Sequence, residues 1–272
     1  MKFWKEFTIF ILLSLFVYSL DVVDGLGRKH VILHPPERVI SLSPAITETL
    51  GVLSLEDRIV GTSNYTKVKG AVQVGGLLNP NMELIRTLKP QLVFVMQPSP
   101  LTLINYLERS GIEVFPVSEP DSLDKIANMV LLFGRIFGVE TRAVRIRDHF
   151  LREISPVRRK KGKAYVGFVS PPFWTACRGT FLDDLIRRAG WDNICDLKGW
   201  SALSGEEIFL KNPDVLIVPA ASPENVYPYL EKFPWRKVTA VIKRKILIID
   251  ENRLLRPSPL IIEAYRKIRD FK

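Results

Sequence analysis

The sequence predicts an α/β protein of two lobes, each with a mainly parallel sheet, and a ligand cleft between the lobes. Three observations lead to this prediction. Short apolar runs alternate with amphipathic runs along most of the 272 residues, which is typical of strands joined by crossover helices. Two longer helical runs interrupt the alternation, which then begins again. One short segment of the first half recurs in the second half with the same spacing.

The first half of the chain contains four predicted strands. Val39–Ser43 is a short apolar run, and a helix begins after it at Ser43-Pro44, because serine suits the N-cap and proline suits the first helical position. The other elements alternate in the same way. Strands are predicted at Ile59–Ser63, Val93–Met96 and Glu113–Val117, and helices near Met82–Leu88 and Leu101–Arg109.

The middle of the chain is predicted to be helical and to join the lobes. Helices are predicted over Ser122–Phe137 and Glu140–Ile154, and Gly138 separates them. At 1.5 Å per residue the second helix spans roughly 20–25 Å, and it is predicted to be the single rigid connection between the lobes. Because a helical connection is stiff, we expect small lobe motions.

After Ile154 the alternation restarts and predicts a second lobe. The expected regions are an N-terminal lobe over residues 38–118, a helical region over residues 122–156 and a C-terminal lobe over residues 160–272, and both lobes are Rossmann-like. The elements predicted in the second lobe are strands at Ala164–Val169, Val215–Val218 and Ile246–Ile249, and helices at Phe181–Ala189 and from Ser258-Pro259.

The composition is that of a globular protein with a basic surface. Hydrophobic and charged fractions of 47% and 25% exclude wholesale disorder, a disulfide-dense miniprotein and a polytopic membrane protein. The net charge of +10 is typical either of an ordinary basic surface or of a protein with an anionic partner. No nucleic-acid partner is predicted, because no motif for one is present. The one local basic run contains Arg158, Arg159, Lys160, Lys161 and Lys163.

The N-terminus has the pattern of a secretory signal. Lys2 and Lys5 precede the apolar run Thr8–Leu20, which Asp21 ends. This run is shorter than the ~20 residues of a membrane span. Residues 1–20 are therefore predicted to be a cleaved signal peptide, with an uncleaved anchor as the alternative. No cysteine follows the run, so no lipid anchor is expected, and the protein is expected in the periplasm or at the cell surface.

Cys177 and Cys195 are the only two cysteines. Export to an oxidising compartment permits a disulfide between them, and closing this loop would stabilise the fold by about 3 kcal/mol. Two buried free thiols are the alternative, because the sequence does not give the distance between the two Cα atoms.

Catalytic and metal-binding patterns are absent from the sequence. His30 and His34 precede Pro35-Pro36, where a helix that would bring both onto one metal is disfavoured, and His149 lies in the connecting helix. There is no Walker A motif, no GxGxxG and no GxSxG. We therefore predict no catalytic residue, no metal site, no cofactor and no enzymatic activity.

Aromatic and arginine side chains follow several predicted strands. Ligands of open α/β sheets bind at the carboxyl ends of the strands, where aromatic rings offer flat apolar faces and arginines offer forked donors. Trp191 and Trp235 are instead expected to pack loops onto the core. The candidate ligand-binding residues, all placed in loops, are Tyr65, Phe173, Trp174, Arg178, Trp200, Arg253 and Arg256.

The recurring segment contains a matched pair of glutamates. Glu83 precedes Pro90 by the same interval as Glu206 precedes Pro213. Each glutamate lies in the first turn of a predicted helix that leads into a buried strand. The helix macrodipole stabilises a glutamate there, but this preference explains the matched spacing less well. The pair therefore indicates two lobes related by a pseudo-twofold axis.

Several short motifs resemble those of the solute-binding proteins of ABC importers for cobalamin and ferric siderophores. They occur in family order from about Arg38 to the end of the chain, and they are specific jointly. The motifs are Arg38-Val-Ile-Ser-Leu-Ser-Pro-Ala-Ile-Thr-Glu48, Val60-Gly61 with Tyr65, Asn81-Met-Glu83 with Leu88-Lys-Pro90, Pro171-Pro-Phe173, Gly179-Thr-Phe-Leu-Asp183 and Arg256-Pro-Ser-Pro259.

The resemblance implies a monomeric, non-catalytic receptor whose two lobes are bridged by a rigid helix. Its partner would be an ABC permease dimer with its ATPase. In this family one glutamate of each lobe docks against arginines of the permease, and the matching positions are Glu83 and Glu206.

The ligand implied by the resemblance is a metal chelate. Tyr65, Trp200 and Arg256 match cleft positions of the cobalamin receptor, so a corrinoid is favoured. Leu77 and Asn252 depart from that receptor, which has a tryptophan and an aspartate there, so a ferric siderophore or haem stays open. An extracytoplasmic enzyme is a further alternative, and the lack of a catalytic histidine argues against it. A structural surface protein is another alternative, and it would not need the matched glutamates.

Overall fold

The computed structural model describes residues 19–272. The predicted signal peptide, residues 1–20, therefore lies outside the described residues except for its last two positions. Leu20, which ends the predicted apolar run, begins a strand and packs against the N-terminal core. Within residues 19–272, no helix has the length and apolar character needed to cross a bilayer.

The N-terminal lobe begins with an antiparallel hairpin of β1 (Leu20–Val23) and β2 (Lys29–Ile32). The elements that follow are β3 (Val39–Ser41), α1 (Pro44–Val52), β4 (Ile59–Thr62), β5 (Val72–Gln73), α2 (Met82–Thr87), β6 (Leu92–Met96), α3 (Leu101–Arg109) and β7 (Val114–Val117). The last five strands form one parallel sheet in the order β5-β4-β3-β6-β7. Every element predicted in this half is present within two residues of its predicted bounds.

The hairpin was not predicted, and a polar cluster holds it on the lobe. The Asp24 carboxylate accepts from Arg28 Nε at 2.7 Å and lies 2.9 Å from His30 Nε2, while His30 Nδ1 lies 3.0 Å from Glu113. Burial raises the pKa of Asp24, but the hydrogen bonds to His30 and Arg28 outweigh it and bring the pKa below its ordinary value. His30 therefore contributes to hairpin docking.

Two helices, α4 (Leu123–Ile136) and α5 (Glu140–Glu153), lie side by side between the lobes. The helix α5 is the predicted connection, because Ala143 packs in the N-terminal core and Phe150 in the C-terminal core. Beyond the prediction, α4 also contributes to both cores. The join between the lobes is therefore a helix pair, which resists bending more than one helix would.

A glycine sets the distance between these two helices. A Cβ on Gly134 would overlap the Cβ of Ala143 on the facing helix, so only glycine allows this approach. The turn between the helices contains Gly138, whose φ of +65° favours glycine. The buried residues that place α4 in both cores are Ile126 on the C-terminal side and Phe133 on the N-terminal side.

The C-terminal lobe repeats the parallel arrangement. Its elements in chain order are β8 (Gly162–Val166), β9 (Trp174–Ala176), α6 (Phe181–Arg188), β10 (Trp191–Asn193), β11 (Trp200–Ala202), α7 (Gly205–Lys211), β12 (Val215–Pro219), α8 (Tyr227–Leu230), α9 (Thr239–Ile242), β13 (Ile246–Ile249), α10 (Glu251–Leu254) and α11 (Ile262–Asp270). Strands β10-β8-β12-β13 form a parallel sheet in that order, and β9 pairs antiparallel with β11. Single 3-10 turns lie at Glu56–Arg58, Pro223–Asn225, Trp235–Lys237 and Pro259–Ile261.

Both parallel sheets are covered on both faces, as the apolar strands predicted. In the N-terminal sheet, Phe94 packs against α1 and α4, and the neighbouring Val93 packs against α2 and α3. In the C-terminal sheet, Val166 packs against α6 and α11, and Tyr165 packs on the opposite side with α7. The predicted strand Ala164–Val169 is shorter than expected and ends at Val166.

Candidate functional site

Both predicted ligand-binding tryptophans lie in strands, not in loops as the sequence suggested. Trp174 begins β9 and Trp200 begins β11. Trp174 is opposite Ala202, and Ala176 is opposite Trp200. Because directly opposed residues and residues two apart share a face, both indole rings lie on one face of this two-stranded ribbon. They are 46% and 40% exposed, so the aromatic ribbon presents two rings to solvent.

A disulfide attaches the aromatic ribbon to the parallel sheet. Cys177 directly follows β9 and Cys195 lies just after β10, and the two sulfurs are bonded, with the Cα atoms 4.9 Å apart. Both cysteines are fully buried. The Asn193 side-chain amide also donates to the carbonyl of Ala176 at 2.8 Å. Of the two alternatives left open by the sequence, the structure has the disulfide.

Tyr65 follows β4, where the N-terminal lobe meets the C-terminal lobe. Its side chain is 71% exposed, and a Cβ on Gly76 would lie 3.7 Å from its ring. Its carbonyl oxygen accepts a hydrogen bond from Arg256 Nη2 at 3.0 Å. The ring is thus free to contact a solute, while the backbone beside it is held by the other lobe. The predicted contact of Tyr65 with ligand stays a prediction.

Arg256 ties the two lobes together. Its Nη1 lies 2.6 Å from Glu48 Oε1, and its Nη2 also donates to Asn252 Oδ1 at 2.6 Å. The Ser258 hydroxyl donates to the second oxygen of Glu48 at 2.5 Å. Both terminal nitrogens of the guanidinium are therefore engaged within the protein, whereas the sequence predicted that they hold the ligand. That ligand contact stays a prediction.

Sequence reasoning did not select Glu48, Ser258 or Asn252, which all belong to this network. Asn252 entered only as a departure from the cobalamin receptor, and the other two residues share a different feature. Both stand in motifs that carried the family resemblance, at the end of the first motif and inside the last one. Neither motif indicates that its residue bonds to the other, because the two positions are 210 residues apart.

The remaining predicted arginines also have acidic partners. Arg178 Nη2 lies 2.6 Å from Asp196, which Lys211 also contacts at 3.0 Å. The hydrogen bond from Lys211, together with that from Arg178, lowers the pKa of Asp196. Arg253 Nε lies 3.5 Å from Glu263. Both arginines are exposed, so a solute can still reach them.

Three other predicted aromatic residues lie in or against the core. Trp191 and Trp235 are buried in the core as expected, but only Trp235 lies in a turn, because Trp191 begins β10. Phe173 is half-buried, and its ring meets that of Trp235 edge-on with centroids 5.4 Å apart. Phe173 therefore supports the loop that carries the aromatic ribbon, and its predicted contact with ligand stays a prediction.

A small cavity opens at the carboxyl ends of β8, β12 and β13. It has a volume of about 180 Å³ and is lined by Phe168, Ala220, Asn225, Tyr229 and Glu251 among others. Tyr165 lies beneath it and donates to the carbonyl of Phe168 at 2.7 Å, and burial raises the pKa of this phenol, which keeps it protonated. Typical ligand pockets measure about 300–1,000 Å³. A large solute would therefore extend beyond this cavity.

Glu83 and Glu206 occupy equivalent positions in their helices. Each is the second residue after the N-cap, which is Asn81 in α2 and Ser204 in α7. Both glutamates are exposed, and neither side chain has a partner among residues 19–272. The capping box of α7 is made by Glu207, whose pKa is lowered by hydrogen bonds with Ser204. Helix capping therefore does not require Glu206.

In the part of the chain that the structure describes, no group of three or more histidine, cysteine, aspartate or glutamate side chains is arranged to hold a metal ion. The candidate site therefore combines the aromatic ribbon of the C-terminal lobe, Tyr65 of the N-terminal lobe and exposed arginines, and the Arg256 network joins the two lobes. Such an arrangement can bind a large, flat solute with a polar periphery.

Comparisons with known proteins show to which family this chain is similar. Residues 39–252 match the family described as periplasmic binding protein. The uncharacterized ABC transporter substrate-binding lipoprotein YvrC of Bacillus subtilis is 24% identical over 93% of this chain and 85% of its own length. The vitamin B12-binding protein of Yersinia pestis is 25% identical over 85% of each chain.

A solved structure shows the same fold. A possible iron-binding (periplasmic solute-binding) protein from Staphylococcus epidermidis superimposes with a TM-score of 0.76 at 28% identity, covering 87% of this chain and 98% of the other. The family match spans well over half of the chain, and the two-lobed fold agrees with it. The chain therefore belongs to the periplasmic binding protein family, a family of solute-binding proteins.

Proposed function

We propose that this protein is the extracytoplasmic substrate-binding component of an ABC importer, and that it captures a metal chelate, with a corrinoid favoured. The observation that carries the proposal is the aromatic ribbon, whose two exposed rings lie on one face. A planar macrocycle has the shape that such rings bind. The vitamin B12-binding relative supports the corrinoid among the chelates.

The two exposed tryptophans of the aromatic ribbon have a rigid support. Trp174 and Trp200 lie on a ribbon that the disulfide holds on the sheet, so they are presented by a rigid support. Burying one aromatic side chain on binding contributes about 1.5–3 kcal/mol. Arg178 and Arg253 are exposed at the edge and would hydrogen-bond amide or carboxylate groups on the periphery of the chelate.

A ferric siderophore or haem is the second candidate. The net charge of +10 suits an anionic chelate better than a neutral one, and the solved relative described as possibly iron-binding favours the same chemistry. Leu77, where the cobalamin receptor has a tryptophan, removes one aromatic face that a corrinoid would use.

The experiment that separates the chelates is a visible absorption spectrum after ligand capture. The purified protein is incubated with cobalamin, haem or a ferric catecholate and desalted, and we expect the cobalamin spectrum to remain with the protein. Retention of only an iron chelate would replace the corrinoid by the second candidate. If no chelate were retained by the wild type, the proposed ligand class would be wrong.

Delivery to the importer is proposed to use Glu83 and Glu206. These exposed carboxylates have no partner among the described residues and occupy the same helical position in each lobe. A permease dimer presents two equivalent basic patches, and a matched pair of carboxylates fits both at once. Each contact would be charge-assisted and desolvated on docking, so loss of one partner could cost about 2–5 kcal/mol.

The docking test is the variant Glu83→Ala/Glu206→Ala. We expect ligand affinity to stay near wild type while ligand-dependent stimulation of the ATPase of the importer is lost. The variant Glu56→Ala/Glu231→Ala removes the same charge from exposed positions and should stimulate normally. If the Glu83→Ala/Glu206→Ala variant stimulated the ATPase normally, the docking proposal would be wrong, and both glutamates would only stabilise the first turns of their helices.

A further inference from the structure

A pocket lined by cations lies at the amino-terminal edge of the C-terminal sheet, away from the candidate ligand residues. Residues 159–161 directly precede β8, Lys245 directly precedes β13, and the last turn of α11 closes the pocket. Its volume is about 600 Å³. The cations that line this basic pocket are Arg159, Lys160, Lys161, Lys245, Arg269 and Lys272.

Three of the six cations have partners within the protein. The ammonium of Lys161 donates to carbonyl oxygens at the end of α11, and it lies 5.3 Å from the centre of the Trp191 ring. Arg269 pairs with Asp270 at 2.9 Å. Lys160 lies 3.6 Å from an aspartate carboxylate. Helix capping and ion pairing account for these three side chains.

The other three cations have no such explanation. Arg159, Lys245 and Lys272 have no acidic partner among residues 19–272. Among the described residues, Asp270 is the one acidic side chain that lines the pocket, and it already pairs with Arg269. A concave, positively charged surface attracts anions more strongly than a flat one. Further exposed cations adjoin the pocket in sequence, namely Arg158, Lys163, Lys243 and Arg244.

We propose that the basic pocket binds the phosphate groups of anionic phospholipid headgroups. The positive charge extends beyond the pocket to its flanks, so a surface that carries many phosphates fits better than one small anion. Trp191 is buried and cannot insert into lipid, so the contact is electrostatic and weakens with salt. Because the candidate ligand residues follow the opposite, carboxyl ends of the strands, the adsorbed protein keeps its cleft clear of the headgroups.

The test compares two variants that lose the same charge. Arg159→Gln/Lys245→Gln/Lys272→Gln removes the three unpaired cations of the basic pocket. The control, which replaces Lys29, Arg236 and Lys237 with glutamine, changes exposed positions elsewhere. Co-sedimentation is measured with vesicles of phosphatidylglycerol and phosphatidylcholine in equal parts, and with phosphatidylcholine alone, at low ionic strength.

We expect the wild type to bind the mixed vesicles and not the neutral ones. One basic residue near an anionic surface changes partitioning about fivefold, so the pocket variant should bind on the order of 100-fold more weakly. The control should change less than about threefold, because its cations lie outside the pocket. An equal loss of vesicle binding in both variants would show that binding depends on net charge alone, and it would overturn the proposal that the basic pocket is the binding site.

Two further measurements test the choice of lipid as partner and the electrostatic nature of the contact. Binding of soluble polyphosphate or inorganic phosphate without binding of the mixed vesicles would overturn the lipid assignment. Circular dichroism shows whether the pocket variant is folded. If it is not folded, vesicle binding is measured with the charge-keeping variant Arg159→Lys/Lys245→Arg/Lys272→Arg instead. It should retain vesicle binding, and loss of binding by a folded charge-keeping variant would contradict an electrostatic contact.

Discussion

Removal of the Glu48 carboxylate tests what holds the lobes together. Glu48 Oε1 lies 2.6 Å from Arg256 Nη1, and Oε2 accepts from the Ser258 hydroxyl at 2.5 Å. The side chains of Glu48 and Arg256 are only 12% and 18% exposed, so both charges are largely desolvated. Removing one partner of a buried ion pair costs about 3–5 kcal/mol. Because some solvent reaches the pair, we expect Glu48→Ala to lower the free energy of unfolding by about 3 kcal/mol.

The assay is a double-mutant cycle with Glu48→Ala, Arg256→Ala and the double variant. Urea unfolding is followed by circular dichroism and by tryptophan fluorescence, and coincident transitions establish two-state behaviour. The double variant leaves no unpaired charge, so its loss should be smaller than the sum of the single losses by about 2 kcal/mol.

Asn252→Ala is the control for this cycle, because it removes a neutral acceptor from the same guanidinium. It should cost only about 1 kcal/mol. A coupling energy below about 0.5 kcal/mol between Glu48 and Arg256 would refute the tie. Arg256 would then be free to act as the ligand contact that the sequence predicted.

Three other perturbations test the site and the framework. Trp200→Ala should weaken chelate binding at least about tenfold in calorimetry, since one buried aromatic contributes about 1.5–3 kcal/mol; unchanged affinity would remove Trp200 from the site. Replacing Cys177 and Cys195 with alanine should lower the free energy of unfolding in urea by about 3 kcal/mol, and an unchanged value would show that the bond adds no stability. Gly134→Ala should cost about 1–3 kcal/mol in thermal unfolding through overpacking, and the added change Ala143→Gly should restore part of it. No rescue would mean that the overlap between the helices is not the cause.

The sequence by itself determined the alternating elements and the positions of the two matched glutamates. Ser43-Pro44 predicted the start of α1, and the helix begins at Pro44, although the Ser43 side chain makes no capping hydrogen bond. The apolar run Val93–Met96 predicted a buried strand, which the structure has at Leu92–Met96. Glu83 and Glu206 were found by their spacing, and the structure places both at one helical position. Such features follow from residues a few positions apart.

Only the tertiary structure decided how distant residues meet. Trp174 and Trp200 share a face because β9 pairs with β11 in one register, and a shift of one residue would have turned one ring to the other face. The network of Arg256 depends on Glu48, which is 208 residues away in the chain. Pairing at such separations is set by how the lobes pack, because the attraction between the Glu48 and Arg256 charges acts only once the lobes have met. No local pattern in the sequence contains that information.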